Sequence, residues 1–194
     1  MQEGFVRGMA PEEIAGILKT EFDAAVTDSN LSGSHPYATV STAWPRVARF
    51  LRDDARLQFN MLRCVSGIDL LAENKLAAVY DLLSVPLGNP GEPFIPWRHE
   101  FAVRVMTDRD NPHIPSVVDV WPAADWHERE AYDMLGIVFD GHPDSVVDES
   151  GPHPRRILCA DDWVGFPLRK DYVFPLEYHG IPATTEYELT NPKH

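Results

Sequence analysis

Between Gly151 and His194 the chain carries six prolines and six aromatic residues, and neither a helical nor a strand period runs through them. Proline removes a ladder donor from strands and breaks helices. Aromatic side chains nevertheless favour burial. A strip of this kind cannot build a core of its own. It must lie along another surface, either that of its own domain or that of a partner. The constraint divides the sequence into an α+β domain over 1–139 and an extended Pro- and aromatic-rich tail over 140–194.

The first part has ordinary periodicities. Pro11 suits a first helical position, and Ile14, Ile17, Leu18 and Phe22 recur at helical spacing, which predicts a helix over 11–25. Tyr37–Val40 predicts a short strand. A second helix is expected over 43–53, with Ser41 or Thr42 as its cap, Pro45 in its first turn and an apolar stripe of Trp44, Val47, Ala48 and Leu51. Leu57, Phe59 and Met61 alternate with polar residues, as do Phe101, Val103 and Val105 with their neighbours, and Leu76–Leu83 is an apolar run of strand length. Gly and Pro mark 87–96 as a loop. A third helix is expected over 123–135, started by Pro122 and ended by Gly136 in a left-handed turn. The sum is a two-layer α+β domain, with helices on one face of a small, mixed or mostly antiparallel sheet.

Charge and cysteine content exclude several functions. Seventeen Lys and Arg against thirty Asp and Glu leave a net charge of −13. A phosphate-tracking nucleic-acid binder needs a basic face, and so does a protein that binds anionic lipid directly. Two cysteines are too few for a disulfide framework, an iron–sulfur cluster or a Cys-type zinc site. No apolar run reaches the roughly 18 residues of a membrane span. The N-terminus has no signal-like region. The expectation is a soluble, reduced, cytoplasmic chain that meets a membrane only through another chain.

No phosphate-binding glycine loop and no nucleophile elbow is present. His127, His142 and His153 with Asp144 and Asp148 match no metal-ligand spacing, and His142-Pro143 and His153-Pro154 read as exposed loop sites. The third helix is less ordinary. Trp126, Glu130 and Asp133 share one stripe; Glu128, Tyr132 and Leu135 share the next. Carboxylates among aromatics are costly to bury without partners, and Arg129, Arg155, Arg156, Arg169 and Lys170 are candidate counter-charges. One reading is general acid–base catalysis by Glu128, Glu130 and Asp133. The other is an ion-paired helix that anchors the tail or a neighbour; no nucleophile or cofactor loop accompanies the carboxylates. The basic clusters at 155–156 and 169–170 suit an anionic ligand, the acidic helix or an acidic partner.

Four segments in order carry a resemblance. They are Glu128-Arg129-Glu130-Ala131-Tyr132-Asp133-Met134-Leu135-Gly136-Ile137-Val138-Phe139, then Gly141-His142-Pro143-Asp144, then Arg155-Arg156-Ile157-Leu158, and last Asp162-Trp163-Val164-Gly165-Phe166-Pro167-Leu168-Arg169-Lys170-Asp171-Tyr172. Over about 119–181 this resembles the C subunit of proton-translocating NADH–quinone oxidoreductase, the bacterial counterpart of the mitochondrial complex I 30 kDa subunit. In that family the His-Pro-Asp element runs almost directly into Arg-Arg-Ile-Leu. Here Ser145–Pro154 intervenes, and its polar composition predicts a surface insertion.

The resemblance implies a peripheral-arm subunit on the cytoplasmic side of the cell membrane, without a redox centre of its own. FMN and iron–sulfur clusters are then expected in neighbouring subunits. The large subunit that shapes the quinone site is the expected contact, and the tail is expected to cross neighbours. The motif residues become interface or structural positions rather than catalytic ones. Related chains serve in membrane-bound hydrogenases and other quinone or ferredoxin oxidoreductases. A stand-alone acid–base enzyme and a free-standing adaptor remain as readings of other classes.

Overall fold

The computed structural model describes residues 8–41, 43–86, 98–149 and 151–182. Its elements in chain order are α1 (Pro11–Phe22), β1 (Val26–Asn30), β2 (Tyr37–Val40), α2 (Trp44–Asp53), β3 (Met61–Leu70), β4 (Lys75–Ser84), β5 (His99–Asp108), β6 (His113–Pro115), α3 (Ala124–Leu135), β7 (Val138–Asp140), β8 (Ser145–Asp148) and β9 (Gly151–Pro154). Two-residue strands β10 (Glu177–Tyr178) and β11 (Ile181–Pro182) close the described chain.

Five strands form one mixed sheet in the order β1-β2-β5-β4-β3. Only β2 and β5 run parallel within it; its other pairs are antiparallel. The register aligns Val65 with Tyr80, Tyr80 with Val103 and Ala38 with Val103, so these side chains share one face. That face is fully apolar at Leu76, Ala78, Tyr80, Leu82, Phe101 and Val103, and it joins Ile14 and Leu18 of α1, and Trp44 and Leu51 of α2, in one core. Trp44 packs on Tyr80 with ring centroids 4.5 Å apart. Helix α3 crosses β3 at Gly67, where an added Cβ would meet the side chains of Leu135 and Ala131. The opposite face is polar and ion-paired, as in Arg63 with Asp81 at 2.6 Å. This is the α+β arrangement that the periodicities predict.

Three local expectations need correction. The alternation Leu57/Phe59/Met61 is not a strand. Leu57 and Phe59 are fully buried in a tight turn after α2, while Met61, the first residue of β3, is 47% exposed. Gln58 adopts a left-handed conformation (φ 47°), Leu57 N–H donates to Asp54 O, and Phe59 N–H donates to Leu51 O. The two side chains plug the end of α2, and a turn with every second residue inward mimics a strand period. Helix α2 also has no side-chain cap: its N-cap is Ala43, and Trp44 N–H bonds the backbone carbonyl of Ser41. The other proposed cap, Thr42, and the 87–96 loop lie outside the described residues. Finally, the predicted helix 11–25 ends at Phe22, after which Asp23–Ala25 tightens into a 3-10 turn.

Ser145–Pro154, expected as a surface insertion, contains an antiparallel hairpin of β8 and β9. Its first strand is a surface feature, with Val147 79% exposed. Its second strand is not: His153 is buried and stacks on Tyr132 of α3, centroids 4.6 Å apart. A hairpin has two sides, and one of them packs on α3.

Candidate interface site

Helix α3 ends where the sequence places its stop. Gly136 takes the left-handed conformation (φ 75°) and its N–H bonds Tyr132 O. A Cβ at Gly136 would run into the Phe166 ring, so glycine is required here by both backbone and space. The chain from 155 to 172 then folds back over this helix end.

Asp133 is the centre of the contact. Its side chain is fully buried. Oδ2 accepts the backbone N–H groups of Ile157 (3.0 Å), Leu158 (2.6 Å) and Cys159 (2.9 Å), and Oδ1 accepts Arg156 Nη1 (2.9 Å). Burial alone would raise its pKa; the backbone donors of 157–159 and the Arg156 guanidinium outweigh burial and hold it below the usual carboxylate range. Arg156 also donates to Gly165 O (3.0 Å) and lies against the faces of Phe166 (5.2 Å) and Tyr132 (5.8 Å). Burial pushes the Tyr132 hydroxyl up to about 12.

A second clamp ties the returning chain to β3. Arg109, after β5, forms a fork on Asp69 with two contacts of 3.1 Å, and reaches Asp171 through Nη1 (2.9 Å) and Nη2. The Lys170 N–H donates to Asp69 Oδ2 (2.8 Å). Burial would raise the pKa of Asp69, but the Arg109 side chain and the Lys170 N–H hold it below its ordinary value. Leu168 N–H bonds Met134 O and Arg169 Nε bonds Leu135 O (2.7 Å), which satisfies carbonyls left open at the helix end. Gly165 (φ 82°) sits under the Tyr172 ring, and the Tyr172 hydroxyl donates to Val164 O (3.0 Å).

The two carboxylates on α3 that the spacing puts on one stripe part company. Glu130 and Trp126 face solvent, Trp126 being 65% exposed with Arg129 stacked on it at 5.0 Å. Asp133 is covered by the tail. Glu128, on the adjacent stripe, is fully buried and holds Ser116 Oγ (2.7 Å) and Val117 N–H (3.0 Å). Burial pushes its pKa up to about 7, against the lowering by these two bonds. No cation stands within ion-pair distance of it among the described residues. A proton acceptor near neutrality is chemically suited to acid–base work, but Glu128 has no exposed surface from which to reach a substrate.

The remaining predicted positions fall around this core. Arg129 and Arg155 pair with Asp144 (3.4 and 3.3 Å), not with α3 carboxylates. His142 and His153, expected to be exposed, are both buried: His142 lies 3.2 Å from Asp125 O, and His153 Nε2 lies 3.0 Å from Asp148. Pro143 is exposed and Pro167 half-buried. Trp163 packs on Tyr178, centroids 5.2 Å apart. Among the described residues no three His, Cys, Asp or Glu gather as a metal set. Asp69, Arg109, His153 and Ser116 are not among the interface or structural positions that the sequence points to. One signal is present for Asp69: counting from Val65 and Gly67 puts it on the inward face of β3, where a charge needs a partner.

Within the clamped segment and just beyond it the chain presents apolar side chains to solvent. Leu158, Val164, Leu168, Val173, Phe174 and Leu176 are 61–86% exposed.

The class that fold and site define is an α+β domain whose own C-terminal segment is clamped across one helix end, with apolar side chains turned outward. Residues 38–178 match the sequence model of the family described as respiratory-chain NADH dehydrogenase, 30 Kd subunit, and the chain belongs to that family. It is 42% identical over 178 residues to the C subunit of the NADH-quinone oxidoreductase of Chloroherpeton thalassium, covering 90% of this chain and 66% of that protein. It is 44% identical over 168 residues to the protein of the same name from Chlorobium phaeobacteroides, covering 85% of this chain and 90% of that one. A chain of an archaeal membrane-bound sulfane sulfur reductase, a respiratory membrane complex, shares the fold, with TM-score 0.51 at 21% identity over 72% of this chain and 78% of that one.

Proposed function

We propose that this chain is a scaffold subunit in the peripheral arm of a proton-translocating NADH–quinone oxidoreductase. It supports electron transfer from NADH to quinone without holding a redox centre. FMN and iron–sulfur clusters reside in neighbouring subunits. The large subunit that shapes the quinone site is the principal contact, on the cytoplasmic side of the membrane. No described helix is long and apolar enough to cross a membrane, and in this reading membrane association runs through the complex. The observation that carries the proposal is the clamped segment 156–172 with the exposed apolar side chains that extend from it to Leu176.

The test is co-purification of the tagged chain from its native cells with identification of the associated subunits. The expected result is a set of NADH–quinone oxidoreductase subunits, with flavin and iron recovered in them and not in the separated chain. Replacing Val173 and Phe174 together by Asp is expected to leave the thermal melt of the chain unchanged and to abolish co-purification. About one equivalent of flavin or iron on the separated chain overturns the scaffold role. Recovery of hydrogenase subunits instead assigns the chain to the related class of complex.

A further inference from the structure

The hydrogen bonds around His142 fit only one protonation state of its ring. The side chain has no exposure to solvent. The Asp144 N–H donates to Nδ1 (3.1 Å). A backbone amide can only donate, so Nδ1 accepts and carries no proton. The ring proton therefore sits on Nε2, which donates to Asp125 O of α3 (3.2 Å). In this arrangement His142 is the neutral Nε2–H tautomer. A proton on Nδ1 would meet the Asp144 N–H, donor against donor, and that bond would be lost.

The charged ring has a different partner within reach. Asp125 Oδ1 is buried, lies 3.5 Å from His142 Nε2 and has no hydrogen-bond partner among the described residues. An imidazolium gains a charge-assisted bond by closing that gap, and a neutral ring gains much less. Two sets of bonds thus compete for one ring. Asp144, which the neutral ring holds, is a junction. Its carboxylate pairs with Arg129 of α3 (3.4 Å) and with Arg155 (3.3 Å), and its carbonyl accepts the Arg155 N–H (3.0 Å). The charged groups that face the ring are thus Asp125 on the α3 side and, on the loop side, Asp144 with its two arginines. Glu128, three residues along α3 from Asp125, is turned to Ser116 and Val117 instead.

We infer that His142 is a proton-operated latch between α3 and the start of the returning chain. The neutral ring fixes Asp144, and Asp144 holds Arg155 against Arg129. Uptake of one proton from solvent at Nδ1 moves the ring onto Asp125 and frees the Asp144 N–H. His153, at the far end of the β8–β9 hairpin, responds in the opposite sense. Its nitrogens face two acceptors, Pro154 O (2.8 Å) and the Asp148 carboxylate (3.0 Å), so a proton tightens its contacts.

The test is made on the full wild-type chain by NMR. Long-range proton–nitrogen correlation spectra near neutrality are expected to show His142 as the Nε2–H tautomer. Histidine changes charge between about pH 5 and 8, and acidification through that range is expected to lower the protection of the Asp144 amide about tenfold or more, after correction for intrinsic exchange. The loss should share its midpoint with the His142 ring. His142→Asn keeps an acceptor for the N–H two residues on but takes up no proton. Its Asp144 protection is expected to be flat over the same range. An Nδ1–H tautomer near neutrality overturns the inference. So does Asp144 protection that survives titration of the His142 ring, that follows the midpoint of His153, or that still falls with pH in His142→Asn. A His142 ring that takes up no proton before the whole chain unfolds overturns it as well. Should the Asn variant not fold, the wild-type tautomer and midpoints decide the matter alone.

Discussion

A buried carboxylate can stabilise or strain a fold, depending on who faces it, and α3 holds one of each kind. Asp133 faces three backbone donors and an arginine, with its folded pKa below the unfolded value. Its contribution is present above the unfolded carboxylate pKa and is lost as pH falls through the lower, folded one. Asp133→Ala leaves Arg156 and three N–H groups unpaired, and is expected to cost about 3–5 kcal/mol in urea melts near neutrality. Glu128 has the opposite sign. Its folded pKa of about 7 lies above the reference of 4.5. Between those values the unfolded chain releases the proton that the folded chain retains, so stability falls as pH rises and the loss is complete above about 7. Glu128→Gln should therefore gain on wild type with rising pH, by at most about 3 kcal/mol between pH 4.5 and 8. A difference between variant and wild type that is flat across that range would show that Glu128 does not hold its proton.

At the scale of elements, the joint between α3 and the returning chain depends on Gly136. Gly136→Ala meets both a left-handed backbone and the Phe166 ring. It is expected to cost about 2 kcal/mol or more, and to release Phe166 and Arg156 from the helix end. Limited proteolysis within 155–172 that quickens in the variant while the sheet core stays protected from amide exchange would show that release; an unchanged cleavage rate would count against it. Much of this element map is legible in the residues. The α3 stripe and its Gly136 stop, the apolar run of β4 and the alternation of β5 each follow from a local period, and a local period survives folding. The Leu57/Phe59 turn is not legible in this way, because two inward residues in a turn copy the spacing of a strand. Nor are the burial of Asp133 and the exposure of Glu130, because the cover over Asp133 comes from residues 156–159, far along the chain. The Asp69–Arg109–Asp171 clamp joins three distant positions by geometry alone, and only the charge on an inward strand position announces it.

At the scale of the whole molecule, the returning segment is part of the domain's own electrostatics. Cutting after Phe139 would strip the buried Asp133 of its partners and deprive the buried Asp69–Arg109 pair of Asp171 and the Lys170 N–H. Cutting after Phe174 would retain every one of their bonds described above. The shorter chain is expected to lose its cooperative thermal transition, and the longer one to keep a melting temperature close to that of the full chain. A cooperative melt from residues 1–139 would mean that the clamps only tether the tail. The Lys170 N–H and the Asp69 carboxylate it serves are 101 positions apart. During synthesis, α3 leaves the ribosome with a carboxylate on Asp133 that nothing can yet answer, and the Asp69–Arg109 pair emerges without its remaining partners. Those groups are satisfied only after residue 171 has emerged. A chain terminated before residue 156 therefore keeps Asp133 uncompensated in its interior and is the natural prey of quality-control proteases. The apolar surface that a neighbour would grip is thus offered, in a fixed position, only by chains that have been made to the end of the clamp.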